Sequence, residues 1–523
     1  MRRDVSLIQR VFLICIVATL LSACATGKTT AELLTKIEPN TGVVLLKMEG
    51  NRLALSSSLS WDEIVIRSTT TNEAFRLKNQ TSFGSKRYVF IGQVPQDKYK
   101  IEELSGFFTG LFTDWLINNT SSTSTEENLG TFTVQDGQVT DLGILIVYMP
   151  IENDRRKMQM TKVNSKLELE ATLRRYVPED APRLISKPFL TWDIPSIIDT
   201  KFLDKAQSNV LTTGKPHHAD DGTYWVGAEL GQLLKRKSNG EWLSIDTGLK
   251  MPVFSVLSIN KDTVLAGLDD GVILITGDQK NWKDVSLPFG GTVVELGRLS
   301  SGELVAISKE KGAIKIFTSP CCGQIKWNML REVPFENTYL SFAQVTPKDI
   351  FFVGLKMKAF GSDITRYRYD ATNKVWSDGP SRNLQLRTSL DKDILCGGDF
   401  YSKDHGITWI KPEKPGGDMV CRDAKIMYDH KLSSIGWSSS DFELFRSQDG
   451  GVSWQKVGDK LPRYSGNIAL ELRQFVGYVE PLQKLGHLLI KTHDGRIYGS
   501  QDDGIHWKLE REVSDASSPL VTR

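Results

Sequence analysis

The run His217-His218-Ala219-Asp220-Asp221 is the group of residues in this chain whose types best suit metal chemistry. Two imidazoles and two carboxylates are the ligand types that divalent metals prefer. Neighbouring side chains on an extended segment point to opposite sides, so His217 and His218 would chelate one ion poorly together. We therefore predict a solvated loop here, with no metal site and no cofactor.

Motifs of general catalysis are missing from the sequence. There is no phosphate-binding glycine loop, no His-Glu-x-x-His and no Gly-x-Ser-x-Gly turn. No residue is therefore assigned a catalytic role.

The first residues have the pattern of an export signal. Arg2, Arg3 and Arg10 flank an apolar run of about eleven residues, 11–21, which is too short to span a bilayer. The run ends in Leu21-Ser22-Ala23-Cys24, which resembles the lipobox of bacterial lipoproteins. The resemblance implies cleavage before Cys24 and lipidation of its sulfur and new amine, and several acyl chains give stable anchoring. An ordinary secretory signal is the alternative.

The residue after Cys24 is Ala25 rather than Asp. In enterobacterial lipoproteins this implies sorting to the outer membrane. We expect a protein anchored to that membrane in the cell envelope, facing either the periplasm or the surface.

Export would place the remaining cysteines in an oxidising compartment. Cys396 and Cys421 lie on neighbouring segments, so we predict a disulfide between them, worth roughly 3–4 kcal/mol in the chain-entropy model. The adjacent Cys321 and Cys322 could form a strained vicinal bridge or pair elsewhere. No histidine or second cysteine pair lies at ligand spacing, so structural disulfides or free thiols are favoured over a metal site.

Three copies of one turn motif, Ser-x-Asp-x-Gly-x-x-Trp, stand in the C-terminal part of the chain, and we name them the three corners. Their shared residues are Ser402, Asp404, Gly406 and Trp409; Ser447, Asp449, Gly451 and Trp454; and Ser500, Asp502, Gly504 and Trp507. The carboxylate can accept nearby backbone N–H groups, and Gly can take a positive φ. The motif therefore predicts a hairpin turn followed by a strand that an indole wedges in place.

Weaker versions of this turn precede four earlier tryptophans. The seven tryptophans are Trp242, Trp282, Trp327, Trp376, Trp409, Trp454 and Trp507. Repeats of roughly 40–50 residues with several short strands each are typical of a β-propeller. We predict seven blades; six or eight remain open because four of the seven turns are degraded.

The corners resemble the Asp-box, or BNR, repeat of sialidases, sortilin-type receptors and many bacterial propellers. The resemblance implies a folding device between the outer two strands of each blade, away from the binding face. Sialidases also need an arginine cluster, a Tyr–Glu pair, an acidic proton donor and an Arg-Ile-Pro motif, which is absent here. Arg298, Arg366, Tyr367 and Arg368 are present, but the sequence does not show that they converge.

Length and composition limit the remaining choices. A chain of 523 residues is too long for one ordinary core, which predicts two domains. Removal of residues 1–23 takes three of the 65 basic and one of the 63 acidic residues, leaving 62 of each. A neutral chain offers no bulk attraction to nucleic acid, so we expect no nucleic-acid partner.

The region between signal and propeller has strand-like runs. After a tether over 24–40, we predict a β-sandwich-like domain over 41–150, including a hairpin with an Asp-Gly turn over 130–139. The apolar segment 106–117 fills the sandwich core or forms an exposed hydrophobic tip.

The rest of the chain divides into three parts. A connector over 151–200 carries a short helix at 166–176, and the propeller covers 201–513 with a tail at 514–523. We expect segment 197–213 to complete the last blade and so close the ring.

These observations give an all-β chain with a β-sandwich-like domain followed by a seven-bladed propeller. The leading functional hypothesis is a non-catalytic module that binds or assembles with a protein or a glycan, because rigid blades position variable loops. The alternative is a glycoside hydrolase, which needs two well-placed carboxylates.

Overall fold

We analysed a computed structural model of the chain. It describes residues 28–30, 37–50, 59–81, 87–108, 130–148, 151–152, 155–156, 159–163, 165–193, 200–310, 312–321, 324–335, 338–358, 361–381, 386, 389–416, 418–435, 439–458, 479–491 and 496–512. The predicted signal peptide, Cys24 and most of the apolar segment 106–117 lie outside these residues. No helix within the described ranges is both long and apolar enough to cross a membrane.

The N-terminal domain is a two-layer β-sandwich. Its strands are β1 (Lys28–Thr30), β2 (Thr41–Gly50), β3 (Leu59–Ser68), β4 (Ala74–Lys78), β5 (Arg87–Pro95), β6 (Asp97–Phe108), β7 (Thr131–Val134), β8 (Val139–Tyr148), β9 (Ile151–Glu152), β10 (Arg155–Arg156) and β11 (Gln159–Val163). One sheet has the order β1-β4-β3-β6-β7 and the other the order β11-β8-β2-β5. The second sheet therefore takes in β11, from the segment predicted as connector.

Residues 43–46 of strand β2 are apolar on both faces because both faces are covered. Val44, Leu46 and Met48 point into the core between the two sheets. Val43 and Leu45 point the other way and pack against the helices of the connector. A strand that is buried on both sides has a continuous apolar run rather than an alternating one.

The predicted hairpin over 130–139 is wrong in its pairing. The turn exists, with Gly137 at φ 60° and the N–H of Gln138 donating to the carbonyl of Gln135. However, β7 pairs with β6 in one sheet, while β8 pairs with β2 and β11 in the other. The turn thus crosses between the layers, because Phe132 and Leu145 on its two sides both fill the core between the sheets.

Three helices link the two domains: α1 (Lys166–Tyr176), α2 (Ala181–Ile185) and α3 (Thr200–Ser208). Helix α1 spans the segment for which the leucine spacing predicts a helix, and the Oγ of Ser165 caps it by accepting from the N–H of Glu168 at 3.4 Å.

Seven sheets of consecutive strands form the blades of the propeller. They are β12 (His217–His218), β13 (Tyr224–Gly227), β14 (Gln232–Arg236) and β15 (Trp242–Asp246) in blade 1; β16 (Val253–Ser258), β17 (Val264–Leu268), β18 (Ile273–Thr276) and β19 (Trp282–Asp284) in blade 2; β20 (Thr292–Arg298), β21 (Leu304–Glu310), β22 (Ala313–Ser319) and β23 (Asn328–Pro334) in blade 3; β24 (Thr338–Val345), β25 (Asp349–Met357), β26 (Ser362–Asp370) and β27 (Val375–Pro380) in blade 4; β28 (Leu395–Gly397) and β29 (Phe400–Ser402) in blade 5; β30 (Asp418–Cys421), β31 (Met427–Ile435), β32 (Ser439–Ser447) and β33 (Gln455–Gly458) in blade 6; and β34 (Val479–Pro481), β35 (Leu488–Lys491), β36 (Ile497–Ser500) and β37 (Lys508–Arg511) in blade 7. Each sheet is an antiparallel meander. Blade 5 has two strands in the described residues, extended by a bridge between Tyr401 and Ile410. Strand β29 ends at Ser402, as the third strands of blades 6 and 7 end at Ser447 and Ser500, so β28 and β29 occupy the second and third positions of their blade.

The three corners share one hydrogen-bond pattern. In the blade 6 corner, the N–H of Gly451 donates to the Oγ of Ser447 at 2.8 Å, and that hydroxyl donates to Asp449 at 2.8 Å. Asp449 also accepts from the N–H of Ser453 at 2.9 Å. The other two corners repeat these bonds. Each corner joins the third strand of its blade to the position of the fourth.

Each of the seven tryptophans packs between its own blade and the preceding one. Trp282, for example, joins a cluster with Leu233 and Ile245 of blade 1, and Trp507 joins one with Tyr428 and Leu444 of blade 6. The other five have equivalent neighbours. The indoles therefore hold successive blades together.

The ring closes through side chains rather than through an exchanged strand. In the described residues all four strands of blade 7 come from 479–511, whereas α3 occupies most of the segment predicted to supply a closing strand. Phe202 and Ala206 lie four residues apart on one face of α3, where they pack against blades 1 and 7. Arg236 of blade 1 and Glu510 of blade 7 form a buried pair at 2.6 and 2.7 Å. The prediction of an exchanged strand is wrong because the seam is covered by a helix and held by this pair.

Candidate functional site

The two faces of the propeller differ in what lies on them. In an antiparallel meander, the loop after the first strand and the loop after the third strand lie on the same face. We call this side the corner face, because the corners follow the third strands. Loops 219–223 and 482–487 belong to it, whereas the turn at 269–272 lies on the opposite face.

A small axial cavity of about 50 Å³ lies among the innermost segments of blades 1–5. It is lined by Lys215, Pro216, His217, His218, Ser255, Val256, Glu295, Leu296, Gln344, Val345, Ser389, Leu390 and Lys392. His218 and Val345 end their strands, and Lys392 lies in the loop before β28, so the cavity lies toward the corner face.

Lys215 reaches across this cavity from blade 1. Its Nζ lies 3.1 Å from Glu295 of blade 3 and 4.3 Å from the centre of the Phe342 ring of blade 4. It also donates to the carbonyl of Ala343. The other carboxylate oxygen of Glu295 accepts from the N–H of Val345 at 3.3 Å. Glu295 is thus held by an ion pair with Lys215 and by a hydrogen bond from the backbone of Val345.

The two histidines are not in a solvated loop, so that prediction is wrong. Both lie on β12, the innermost strand of blade 1. Burial lowers the pKa of His217 to about 3, with a further contribution from the nearby ammonium of Lys392. Burial likewise lowers the pKa of His218 to about 4; Glu480 opposes the shift and Lys491 adds to it. Both imidazoles are therefore neutral at pH 7.

Within the described part of the chain, two acceptor atoms beside the axial cavity are buried without a hydrogen-bond partner. They are the Nε2 of His217 and the Oε1 of Gln344. The other side of each group is engaged, since His217 bonds the backbone of Ser258 and the Nε2 of Gln344 donates to the carbonyl of Lys392 at 3.2 Å. An unsatisfied buried acceptor is costly, and it marks a place for a donor.

A Tyr–Glu pair lies next to His218 at the seam between blades 1 and 7. The hydroxyl of Tyr224 donates to Glu480, which also pairs with Lys491 at 3.1 Å. Tyr224 is buried, and burial together with Glu480 raises its pKa well above its usual value. A nucleophilic phenol needs access to substrate and easier deprotonation, so this pair is suited to joining the blades.

A larger groove of about 430 Å³ runs along the same seam on the corner face. Its lining residues are His218, Ala219, Asp221, Gly222, Thr223, Arg236, Ser238, Leu482, Gln483, Lys484 and His487. His218 borders both the groove and the axial cavity, so the two are neighbours.

The sandwich and α1 occupy the opposite face over blades 1 and 2 through a buried charge network. Arg87 of β5 is fully buried and lies 2.8 Å from Asp270 of blade 2, 3.1 Å from Glu49 of β2 and 3.4 Å from Glu168 of α1. Burial acts to lower the pKa of Arg87, but Asp270 and Glu49 outweigh it and raise that pKa. Burial raises the pKa of Glu49 well above normal, although Arg87 opposes the shift.

Arg175 of α1 adds a second tie to the same turn. Its Nη1 lies 2.8 Å from Asp269 and 2.7 Å from Asp270. Thr172 of α1 also donates to Asp270, at 2.7 Å. Removing one partner from such a network leaves an uncompensated buried charge, so the two domains are firmly joined here.

The other sequence-predicted residues lie away from the axial cavity. Cys396 and Cys421 are bonded, with their Cα atoms 5.7 Å apart, and Cys321 is also disulfide-bonded. Among the described residues there is no group of three or more His, Cys, Asp or Glu able to hold a metal.

The predicted arginines do not converge on the cavity. Arg366 and Arg368 lie on β26 and Arg298 ends β20, and none is among the lining residues. Lys215, Glu295, Gln344 and Lys392 were missed by the sequence analysis because each comes from a different blade and no local motif marks it.

No protein-family model matches the chain. It is 21% identical over 295 residues to an oligoxyloglucan-reducing end-specific xyloglucanase of Emericella nidulans, a match that covers 54% of this chain and 33% of that enzyme. The matched part thus spans about a third of the relative's length.

Similar solved structures include YCF48 bound to D1 peptide, with 15% identity, 55% of this chain and 93% of that chain covered, and a TM-score of 0.38. YCF48 from Cyanidioschyzon merolae has 14% identity, coverage of 58% and 96%, and a TM-score of 0.35. An ulvan lyase has 9% identity, coverage of 58% and 96%, and a TM-score of 0.37.

Proposed function

We propose that this protein is a lipid-anchored envelope protein whose propeller is a non-catalytic module that binds or assembles with a protein or a glycan. The observation that carries the proposal is the state of the carboxylate in the axial cavity. Glu295 is paired with Lys215 and accepts a backbone N–H, and it is the one carboxylate among the described residues that line the cavity. Glycoside hydrolysis needs two carboxyl groups flanking the scissile bond.

The attachment of the sandwich also supports a recognition role. The network around Arg87 fixes the sandwich and α1 to the face opposite the corners. A rigid two-domain unit suits the presentation of loops to a partner, because little ordering entropy is lost on binding. The corner face, with its seam groove and axial cavity, is the surface we propose for the partner, because the sandwich covers part of the opposite face. This departs from what the Asp-box resemblance implies, namely that the corners lie away from the binding face.

The anchor is proposed from Leu21-Ser22-Ala23-Cys24, which resembles a lipobox, and the turn motif is proposed to belong to the Asp-box class. We expect the full chain to incorporate labelled palmitate and to fractionate with outer membranes. The Cys24→Ser variant should do neither. Incorporation that persists in Cys24→Ser would contradict the anchor.

The distant likeness to a xyloglucanase supports a glycoside hydrolase as the second candidate. Affinity capture with the full chain from detergent-solubilised envelopes, run beside a panel of chromogenic glycosides and xyloglucan oligosaccharides, separates the two. We expect capture of a specific partner and no turnover. Turnover that is lost on changing a single acidic residue would overturn the binding proposal.

A further inference from the structure

The axial cavity has the features of a binding site for one small anion. Its lining carries the ammonium groups of Lys215 and Lys392 and the carboxylate of Glu295, which leaves one net positive charge. Lys215 is paired with Glu295, whereas the exposed Lys392 has no ion pair among the described residues. A single carboxylate would balance this charge.

The cavity also requires a hydrogen-bond donor. The Nε2 of His217 and the Oε1 of Gln344 are buried acceptors without partners on blades 1 and 4. His217 is neutral at pH 7, so its Nε2 can accept a hydrogen bond but adds no charge. A hydroxyl group beside the carboxylate would satisfy one of these acceptors.

The size of the cavity limits the ligand further. A volume of about 50 Å³ has room for roughly three to five water-sized groups. This matches a two-carbon hydroxy acid of about five non-hydrogen atoms and is too small for a sugar ring. We propose that the axial cavity binds a small 2-hydroxy carboxylate, with its charge beside Lys392 and its hydroxyl at the acceptor atoms of His217 or Gln344.

Isothermal titration of the full chain in detergent with glycolate tests this inference. Three probes of nearly the same size isolate each feature: acetate lacks the hydroxyl, glycolamide lacks the charge, and glycine replaces the hydroxyl with an ammonium that cancels the charge. We expect glycolate to bind and each of the other three to bind more weakly. For glycolamide the loss should be roughly tenfold or more, because it lacks the charge-assisted hydrogen bond to Lys392.

Lys392→Gln is the first variant, because an exposed residue can be changed without loss of folding. We expect it to weaken glycolate binding roughly tenfold or more. Lys484→Gln is the matched control, since Lys484 lies in the seam groove outside the axial cavity and should leave glycolate binding unchanged. His217→Phe removes one acceptor and should reduce the difference in affinity between glycolate and acetate.

Several results would overturn the inference. These are no glycolate binding at millimolar concentration, acetate or glycine binding as tightly as glycolate, or an equal loss in Lys392→Gln and Lys484→Gln. Failure here leaves the proposed partner binding intact, because partner capture by the full chain is measured separately from glycolate binding.

Discussion

The corners of blades 5–7 and the turns of blades 1–3 hold each blade to its predecessor by different means. In blades 1–3 the indole N–H makes the tie: Trp242 donates to Glu510 at 3.1 Å, Trp282 to the carbonyl of Asp246 at 3.1 Å, and Trp327 to the carbonyl of Val285 at 2.7 Å. In blades 5–7 the indole nitrogens of the corner tryptophans are buried and have no hydrogen-bond partner among the residues that the structure describes.

The corners of blades 5–7 use the residue between Asp and Gly instead. His405 contacts Asp349 of blade 4 at 3.2 Å, and the carbonyl of Gly450 accepts from the hydroxyl of Tyr401 of blade 5 at 3.2 Å. Asp503 accepts from the hydroxyl of Tyr428 of blade 6 at 2.8 Å. This residue has a positive φ in all three corners, at 56°, 75° and 57°. The strict motif therefore places a backbone bulge against the neighbouring blade, and the degraded turns add the indole N–H. In the degraded turn of blade 2, Gln279 also has a positive φ and accepts from Lys235 of blade 1 at 3.4 Å, so the indole N–H is what separates the two classes there.

We expect the largest effect at the seam between blades 1 and 7, where Trp242 and Arg236 both contact Glu510. Glu510→Ala would leave Arg236 buried without its bidentate partner and remove the acceptor of Trp242. We expect a loss of about 3–5 kcal/mol in the free energy of unfolding, measured by urea titration. Glu512→Ala, at an exposed position nearby, is the control and should change it by less than about 0.5 kcal/mol. Equal losses would contradict the seam as the closing contact.

The second-largest effect tests the buried hydrogen bond of the three corners. Ser447→Ala removes the acceptor of the buried Gly451 N–H, and we expect a loss of about 1–3 kcal/mol. Val452→Ala shortens a side chain of the same corner that is 82% exposed, and it should cost less than about 0.5 kcal/mol. The same urea titration distinguishes them. A Val452→Ala loss as large as that of Ser447→Ala would show that the buried bond does not hold the corner.

A matched pair of indole changes probes the difference between the two classes directly. Trp327→Phe loses the bond to Val285, whereas Trp454→Phe removes an indole N–H that has no partner. The two substitutions change the side-chain volume by a similar amount. We therefore expect Trp327→Phe to lower the free energy of unfolding by about 1 kcal/mol more than Trp454→Phe does. Equal unfolding midpoints would mean that the two kinds of turn do not differ in this way.

The smallest effect is on stability at acid pH, and it should appear both in the corners of blades 5–7 and in the turns of blades 1–3. Hydrogen bonds from the side chain and backbone of Ser453 lower the pKa of Asp449 to about 2, and bonds from Asn281 and Lys280 lower that of Asp278. A depressed pKa in the folded state gives stability above the unfolded pKa near 3.8, which is lost as pH falls from about 4 to about 2. The stability gap between the native chain and Asp449→Asn should therefore shrink over that range in thermal melts. A gap independent of pH would contradict the assignment.

Some elements follow from the sequence because their causes are local. The corners need a hydroxyl, a carboxylate and a glycine within five positions, and α1 needs its leucine spacing and the cap at Ser165. The hairpin over 130–139 was predicted wrongly for a related reason. The turn chemistry at Gly137 is local, but the choice of partner for β8 depends on β2, about a hundred residues earlier.

The axial cavity and its polar lining were beyond prediction. Lys215 meets Glu295 and Ala343 across 80 and 128 positions of the chain, and no spacing rule connects them. The histidines were expected in a solvated loop because adjacent side chains on an extended segment would chelate one ion poorly together. Their strand instead became the innermost one of blade 1, where the ring partly buries them.

The sequence by itself determined the repeat, the turns and the all-β class, since these depend on backbone conformations that residues within one turn impose. Only the tertiary structure decided which face the sandwich covers, how blades 1 and 7 meet, and which side chains line the axis. Those outcomes depend on long-range packing and on buried charges such as Arg87 and Asp270, 183 positions apart, finding one another. Burial gives such contacts their strength, and burial exists only once the chain has folded.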